Sequence, residues 1–311
     1  MSSSAETAVT TSVSTGKPQR AALAFSFLST WIIWGSTYLA IRYAVETIPP
    51  LVTAGVRHFT AGSVLFAYCY FRGFRPTAKH WKGAFLIGAF YFLGGHGTLH
   101  WAEQRVSSGL AAVLIATEPL FIAAIMIFTG KERFSYWTLL GMLCGISGVA
   151  YLMGGEALHA PGQMVGILAV LAGSLSWGIG VCISPNAGLP EDPVASAGMT
   201  MFCGSLLLLT TAGVTGEIAA FHPHQVAMRS VLGLLFLIVF GSIVAFSAYV
   251  WLLGQVSPTM VSTHTFVNPA VAVLLGWAMA GEALTARLLV ATLAILGSIA
   301  FIRRGTRAAA H

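Results

Sequence analysis

The sequence predicts an all-α membrane protein whose ten transmembrane helices form two inverted five-helix repeats. Apolar residues make up 56% of the 311 positions and charged residues only 8%, whereas a soluble domain carries about 25% charged residues. Mostly apolar runs, each long enough to cross the hydrocarbon core of a bilayer, recur along the whole chain with short gaps. Backbone polar groups cannot remain unpaired in lipid, so each run is predicted to be a helix.

The short gaps between the apolar runs set the limits of the ten predicted spans. The spans cover residues 21–41, 50–71, 82–102, 107–128, 136–153, 164–184, 193–212, 230–253, 259–280 and 286–302. Residues 1–20 are rich in Ser, Thr and Ala and have too little apolar content to pack, which predicts a disordered N-terminal tail. The first span lacks a convincing small-residue cleavage site, so we expect it to be retained.

The distribution of Lys and Arg predicts that both termini are cytoplasmic. With the N-terminus inside, eleven of these residues fall in cytoplasmic segments and four in outer loops, and cytoplasmic loops carry the excess in membrane proteins. The net charge of +6 then reflects topology, so no nucleic-acid partner is expected. We expect the partners to be the lipid bilayer of the cytoplasmic (inner) membrane and a small-molecule substrate, with the chain a monomer or weak homo-oligomer.

The chain contains an internal repeat that divides it into residues 21–153 and 164–304. At an offset of 150, Trp101, Pro119 and Glu132 match Trp251, Pro269 and Glu282, and at an offset of 143, Trp34-Gly35 and Pro50 match Trp177-Gly178 and Pro193. Five spans are an odd number, so the second copy is predicted to enter the membrane from the opposite face. Secondary transporters are often built this way, with the solute site near the midplane between the repeats.

Several short motifs resemble those of the EamA-type drug/metabolite transporters. They are Trp34-Gly35-Ser36, Ile48-Pro49-Pro50 followed by Arg57, Thr117-Glu118-Pro119-Leu120 and Gly130-Lys131-Glu132, with Asn268-Pro269 and Gly281-Glu282 in the second half. The likeness covers nearly the whole chain and implies ten helices in two inverted halves. It also implies a substrate path lined mainly by spans one, three, four, six, eight and nine. Within that superfamily, the sequence is most similar to bacterial exporters of aromatic amino acids.

Ionisable residues inside the predicted spans are candidates for the solute path. An ionisable side chain at the bilayer centre costs about 2.5–3.5 kcal/mol on insertion scales, so it needs a partner or a wet cavity. His96 and His100 share one face of span three, Glu118 precedes Pro119, and His264 and Asn268 are four residues apart in span nine. These side chains either meet the solute or bond to one another and hold helices together.

Aromatic residues within the spans indicate a bulky, partly apolar cargo, because rings can stack on an aromatic solute. The alternative for each ring is helix packing or anchoring at the membrane interface. The predicted substrate-binding residues are Trp34, Tyr38, Phe92, His96, His100, Trp101, Glu118, Trp177, Phe246, Tyr249, His264 and Asn268.

The predicted function is alternating-access export of small metabolites, most specifically aromatic or other large neutral amino acids. The alternatives are a multidrug or other-metabolite exporter of the same fold, and an intramembrane metalloenzyme that uses His96 and His100. A single ion bound by His96, His100 and Glu103 is disfavoured, since seven residues of helix span about 10 Å. The sequence has no phosphate-binding loop or hydrolase motif, and its four cysteines all fall in predicted spans. We therefore expect no enzyme activity, cofactor, metal ion or disulfide.

Overall fold

The protein is helical throughout the part of the chain that its structure describes. A computed structural model describes residues 17–130, 135–153, 162–253, 255–256 and 264–309, and none of these forms a strand. The predicted all-α class is confirmed. The ten long helical segments within these residues are α1 (17–44), α2 (Pro50–Phe71), α3 (78–102), α4 (Ser108–Phe128), α5 (Tyr136–Met153), α6 (Gln163–Asn186), α7 (Pro193–Val214), α8 (228–253), α9 (His264–Ala280) and α10 (Ala286–Ala309).

Five of these helices are long and apolar enough to cross a membrane, and three shorter segments are also apolar. The five are Gln19–Ala44, Ser108–Phe128, Gln163–Asn186, Pro193–Val214 and Met228–Tyr249, and the three are Tyr136–Tyr151, Val267–Ala280 and Ala286–Ile302. The remaining helices, α2 and α3, carry more polar residues, including Arg57 and His100. The count of ten spans therefore stays a prediction.

Local capping chemistry sets where the helices begin. Thr77 Oγ1 accepts a hydrogen bond from His80 N (3.3 Å) while His80 Nδ1 accepts one from Thr77 N (3.2 Å), which starts α3 before the predicted residue 82. The Asp192 carboxylate accepts hydrogen bonds from the first turn of α7, directly before Pro193. Pro50 occupies the first position of α2, where its missing N–H costs nothing.

The first helix begins within the segment that was predicted to be a tail. Helix α1 already begins at Lys17, so the last four residues of the predicted 1–20 tail are helical. Pro18 does not prevent this, because proline is tolerated in the first turn of a helix. Residues 1–16 lie outside the described residues, as do residues 259–263 at the start of the ninth predicted span.

Consecutive helices run in alternating directions, which gives the bundle two distinct ends. At the first, the Arg42 end, the end of α1 meets the start of α8 through Ser230 Oγ, which donates to Tyr43 O (2.7 Å). At the opposite end, the Lys79 end, the start of α1 meets the end of α8 through Gln19 Nε2, which donates to Gln255 Oε1 (3.3 Å). Helices α1 and α8 are thus antiparallel, as the predicted inversion of the two halves requires.

The packing of the helices is the same in both halves. Helix α1 packs on α8 and α9, and α6 packs on α3 and α4 in the corresponding arrangement. Helices α2 and α7 pack on each other, as do α4 and α9, and α5 and α10. The α2–α7 contact depends on Gly62, where an added Cβ would lie 2.6 Å from the Phe202 backbone nitrogen. Only glycine allows so close an approach of the two backbones.

Three helices contain wide π turns near their middles. These turns lie at Ser29–Ile33 in α1, Ala89–Gly97 in α3 and Leu237–Val244 in α8. Helix α4 is interrupted instead, at residues 116–117 just before Glu118-Pro119. Such irregular turns leave main-chain carbonyls without their usual partners and are frequent at functional sites.

The helices close together at the Arg42 end. One residue from each of four elements is buried there: Ile41 of α1, Val106 of the α3–α4 turn, Leu110 of α4 and Val273 of α9. Glu282, directly after α9, accepts hydrogen bonds from Ser108 N (2.7 Å), Ser108 Oγ (2.8 Å) and Gly109 N (3.0 Å). A carboxylate suits this position because the first turn of α4 carries unpaired N–H groups and a partial positive charge.

Candidate functional site

One group of rings, the Trp34 cluster, joins α1, α8 and α9. It consists of Trp34, Phe246, Tyr249 and His264. The Trp34 ring centroid lies 5.1 Å from that of Tyr249, 5.0 Å from that of His264 and 6.4 Å from that of Phe246. Trp34 Nε1 donates to Gly241 O (3.0 Å), a carbonyl of the π turn in α8. This bond fixes the orientation of the indole, and all four rings of the cluster are half-buried.

A second group, the Trp177 cluster, joins α3 and α6. It consists of Tyr91, Phe92, His96 and Trp177. The Trp177 ring stacks on Tyr91 at a centroid distance of 4.3 Å and on His96 at 5.2 Å, and it meets Phe92 edge-on at 6.3 Å. The π turn in α3 holds three of these residues, so it sets the direction in which they point. Four of the predicted binding residues thus lie in the Trp34 cluster and three here.

The two clusters occupy matching places in the two halves. Trp34 and Trp177 correspond at the offset of 143, and His96 and Phe246 correspond at the offset of 150. The tryptophan on the first helix of each half contacts the corresponding ring on the third helix of the other half: Trp34 meets Phe246, and Trp177 meets His96. Each cluster therefore lies where the two halves contact each other, a region that we call the seam.

Glu118 lies between the two clusters. It begins the second segment of α4, directly after the interruption at residues 116–117. Its carboxyl is close enough to the phenols of Tyr91 and Tyr249 to interact electrostatically with one residue of each cluster. Within the described residues its side chain has no hydrogen bond or salt bridge. A carboxylate in this position can accept hydrogen bonds from a ligand that enters the seam.

Asn268 points toward α1 and is 7% exposed. With its amide nitrogen turned to α1, it donates to Trp31 O (3.0 Å), Thr30 O (3.3 Å) and His264 O (3.1 Å). The first two are carbonyls of the π turn in α1. Asn268 was predicted to bind substrate, and in this structure its amide links α1 to α9.

Three other predicted residues lie apart from the clusters. His100 is fully buried, and its Nδ1 lies 2.7 Å from His96 O. Trp101 lies at the Arg42 end, where the Arg105 guanidinium carbon is 3.6 Å from its ring centroid. Tyr38 is also buried, one turn beyond Trp34 on α1.

The structure adds residues that the predicted set lacks. Tyr91 belongs to the Trp177 cluster, and His58 Nε2 lies 2.7 Å from His96 Nδ1. Arg57 is buried, and its Nε donates to Ser242 Oγ (2.9 Å) in the π turn of α8. These contacts join different helices, so the spacing along one helix gives no signal for them. The ionisable character of Arg57 and His58 within a span was the available clue.

The described residues do not support a metal site. Among them no group of three or more His, Cys, Asp or Glu side chains is arranged to hold an ion. A cleft of about 640 Å³ at the Lys79 end is lined by residues of the α6–α7 turn and contains none of the predicted site residues. The candidate site therefore consists of the two clusters and Glu118.

Comparison with known proteins decides the family. The sequence pattern of the EamA-like transporter family matches residues 21–154 and 164–304, which together make up most of the chain. The chain belongs to the EamA-like transporter family. It is 38% identical over 258 residues to the "uncharacterized inner membrane transporter YedA" of Escherichia coli, which covers 82% of each protein. It is 27% identical over 271 residues to the "uncharacterized transporter YoaV" of Bacillus subtilis, covering 86% of this chain and 92% of that protein.

A solved crystal structure shares the fold. It superposes with a TM-score of 0.62 over 93% of this chain and 98% of its own, at 20% sequence identity. Identity this low supports the fold and nothing about the cargo. The family and its named relatives make the chain a multi-pass inner-membrane transporter of small metabolites.

Proposed function

We propose that this EamA-family transporter exports aromatic or other large neutral amino acids by alternating access. The observation that carries the proposal is the pair of aromatic clusters with Glu118 between them. Rings on both sides of the seam fit a flat apolar side chain. The Glu118 carboxylate accepts hydrogen bonds from the ammonium group of the same solute. Both clusters belong to one chain, so each copy contains a complete site, whether the protein is a monomer or a weak homo-oligomer.

The halves are proposed to act as an inverted repeat that rocks around this seam. Helix α1 packs on α8 and α9 of the second half, and α6 packs on α3 and α4 of the first half. This matching arrangement and the antiparallel directions of α1 and α8 support an inverted repeat. The Arg42 end is packed, while the cluster residues Trp34, Tyr249 and Trp177 remain half-buried. We therefore propose that this state opens toward the Lys79 end, which the charge pattern predicts to be cytoplasmic.

A counterflow assay tests the cargo. Purified protein in liposomes loaded with unlabelled phenylalanine should accumulate labelled phenylalanine transiently, and protein-free liposomes should not. Excess tryptophan and leucine should suppress this uptake more strongly than lysine does. Uptake equal to that of the protein-free liposomes would remove phenylalanine as a cargo.

The same site could also accept lipophilic cations, because a carboxylate among aromatic rings stabilises any apolar cation. Tetraphenylphosphonium in the counterflow assay separates the two cargoes. We expect it to compete less well than phenylalanine, since it has no carboxylate. Stronger competition by the cation would favour a multidrug exporter of the same fold.

The proposed orientation predicts which end of the bundle meets the outside. His222 is exposed in the α7–α8 loop at the Arg42 end, and Glu191 is exposed in the α6–α7 turn at the Lys79 end. In intact cells a membrane-impermeant maleimide should label His222→Cys, and it should label Glu191→Cys only after permeabilisation. The unaltered chain, whose four cysteines are buried or half-buried, supplies the background. The reversed pattern would place the termini outside.

A further inference from the structure

A group of buried polar atoms without partners lies between the Trp177 cluster and the Arg42 end. Glu103, which ends α3, is 2% exposed, and neither of its carboxyl oxygens has a hydrogen-bond partner among the described residues. One turn earlier, His100 is fully buried and its Nε2 is also unpaired. Buried polar atoms are nearly always hydrogen-bonded, so three unpaired atoms in one helical turn require an explanation.

The chemistry of these atoms identifies what is missing. His100 Nδ1 lies 2.7 Å from His96 O. A carbonyl can only accept, so Nδ1 carries the hydrogen and a neutral ring leaves Nε2 as an acceptor. An ionised Glu103 offers only acceptors as well. The turn therefore contains acceptors and lacks a donor, and a proton on the carboxyl supplies one.

The surroundings of Glu103 contain charged groups from other helices. Arg42 and Tyr38 of α1, Arg57 of α2, and Glu282 after α9 all act on it electrostatically. Arg42 Nε lies 3.6 Å from Glu282 Oε1, which in turn holds the first turn of α4. A negative charge on Glu103 repels Glu282 and competes for Arg42. A neutral Glu103 leaves the Arg42–Glu282 contact undisturbed.

A chain of histidines leads from Glu103 toward the middle of the bundle. The His100 and His96 ring centroids are 6.2 Å apart. His96 Nδ1 lies 2.7 Å from His58 Nε2, so one of these nitrogens donates to the other. His96 also stacks on Trp177 in the candidate site. The column His58–His96–His100–Glu103 thus joins the solute seam to the contacts that close the Arg42 end.

We propose that Glu103 binds the proton that couples transport, and that His100, His96 and His58 connect it to the solute site. Proton binding keeps the Arg42 end closed, and proton release weakens the Arg42–Glu282 contact and allows that end to open. The proton moves between the carboxyl and water, so no other reactant is needed. The proposal deepens the proposed function by assigning its coupling ion.

The first test measures proton movement with the full chain in liposomes that contain a trapped pH-sensitive dye. A phenylalanine gradient should change the internal pH in the unaltered protein, and a protonophore should abolish the signal. Glu103→Gln should lower the initial rate of this pH change at least tenfold, while phenylalanine counterflow persists at a reduced rate. Glu46→Gln, at a surface contact with Arg229, is the matched control and should keep both signals.

The outcomes separate the two proposals. Counterflow without any pH change in the unaltered protein would overturn proton coupling and leave the proposed cargo standing. Solute accumulation that follows a sodium gradient would also overturn it. An equal pH change in Glu103→Gln would show that another group binds the proton.

A second test needs no cargo. Infrared difference spectra of the purified protein between acidic and alkaline buffer should contain a protonated-carboxyl band that shifts in D₂O. This band should lose intensity in Glu103→Gln and not in Glu46→Gln. Identical spectra for Glu103→Gln and the unaltered protein would overturn the proposal even if phenylalanine were not the cargo.

Discussion

Replacing Glu118 by Gln is expected to raise the KM for phenylalanine counterflow about ten- to a hundredfold. The change removes a charge-assisted hydrogen bond to the ammonium group, and such bonds contribute about 1.5–3 kcal/mol. The glutamine amide has nearly the same shape as the carboxyl, and the Glu118 side chain has no hydrogen bond within the described residues to lose. The measured quantity is the KM of labelled phenylalanine in liposomes.

Two comparisons show whether the higher KM results from a lost contact with the ammonium group. Phenylpropionate lacks the amine, so its weak competition should be unchanged between Glu118→Gln and the unaltered protein. Glu191→Gln, at an exposed position of the α6–α7 turn, is the control and should keep the normal KM. An unchanged KM in Glu118→Gln would contradict the role proposed for this carboxyl.

Replacing Gly62 by Leu is expected to prevent correct folding. An added Cβ would lie 2.6 Å from Phe202 N and 2.9 Å from Met201 Cβ, so α2 and α7 would have to separate. Overpacking in a tight core costs about 1–3 kcal/mol, and more when backbone must move. The loss is measured as a lower thermal unfolding temperature and a smaller monodisperse peak in gel filtration.

Gly297 provides a matched control for this substitution. It also lies within a helix, α10, but no atom lies within 4 Å of the position that a Cβ would occupy. Gly297→Leu should therefore keep or slightly raise the unfolding temperature, because leucine favours helix more than glycine does. Equal losses in both variants would mean that the α2–α7 approach is not the cause.

Much of the fold can be predicted from the sequence because a segment that crosses lipid has to be mostly apolar and helical. The starts of α2 and α7 are predicted correctly, at Pro50 and Pro193. The start of α3 is predicted less well, because the Thr77–His80 cap adds polar residues to the helix. The polarity of α2 and α3 and the shorter apolar lengths of α5, α9 and α10 explain why only five helices are long and apolar enough to be recognised as spans.

The candidate site could be predicted only in part. Trp34 and Trp177 stand out because they match in the repeat, and their cluster partners lie on other helices. The π turns also change the direction of side chains, since an i→i+5 turn rotates every residue that follows it. His96 consequently meets His58 and Trp177, while His100 turns to the bundle interior.

The hydrogen bonds from α4 to Glu282 stabilise the state in which the Arg42 end is closed. Opening the Arg42 end must break three bonds to a carboxylate, and a difference of about 5.5 kcal/mol suffices to shift a two-state population from 99:1 to 1:99. In the proposed cycle, whatever opens the Arg42 end has to compensate for the loss of these bonds. Without it, the molecule rests with that end shut.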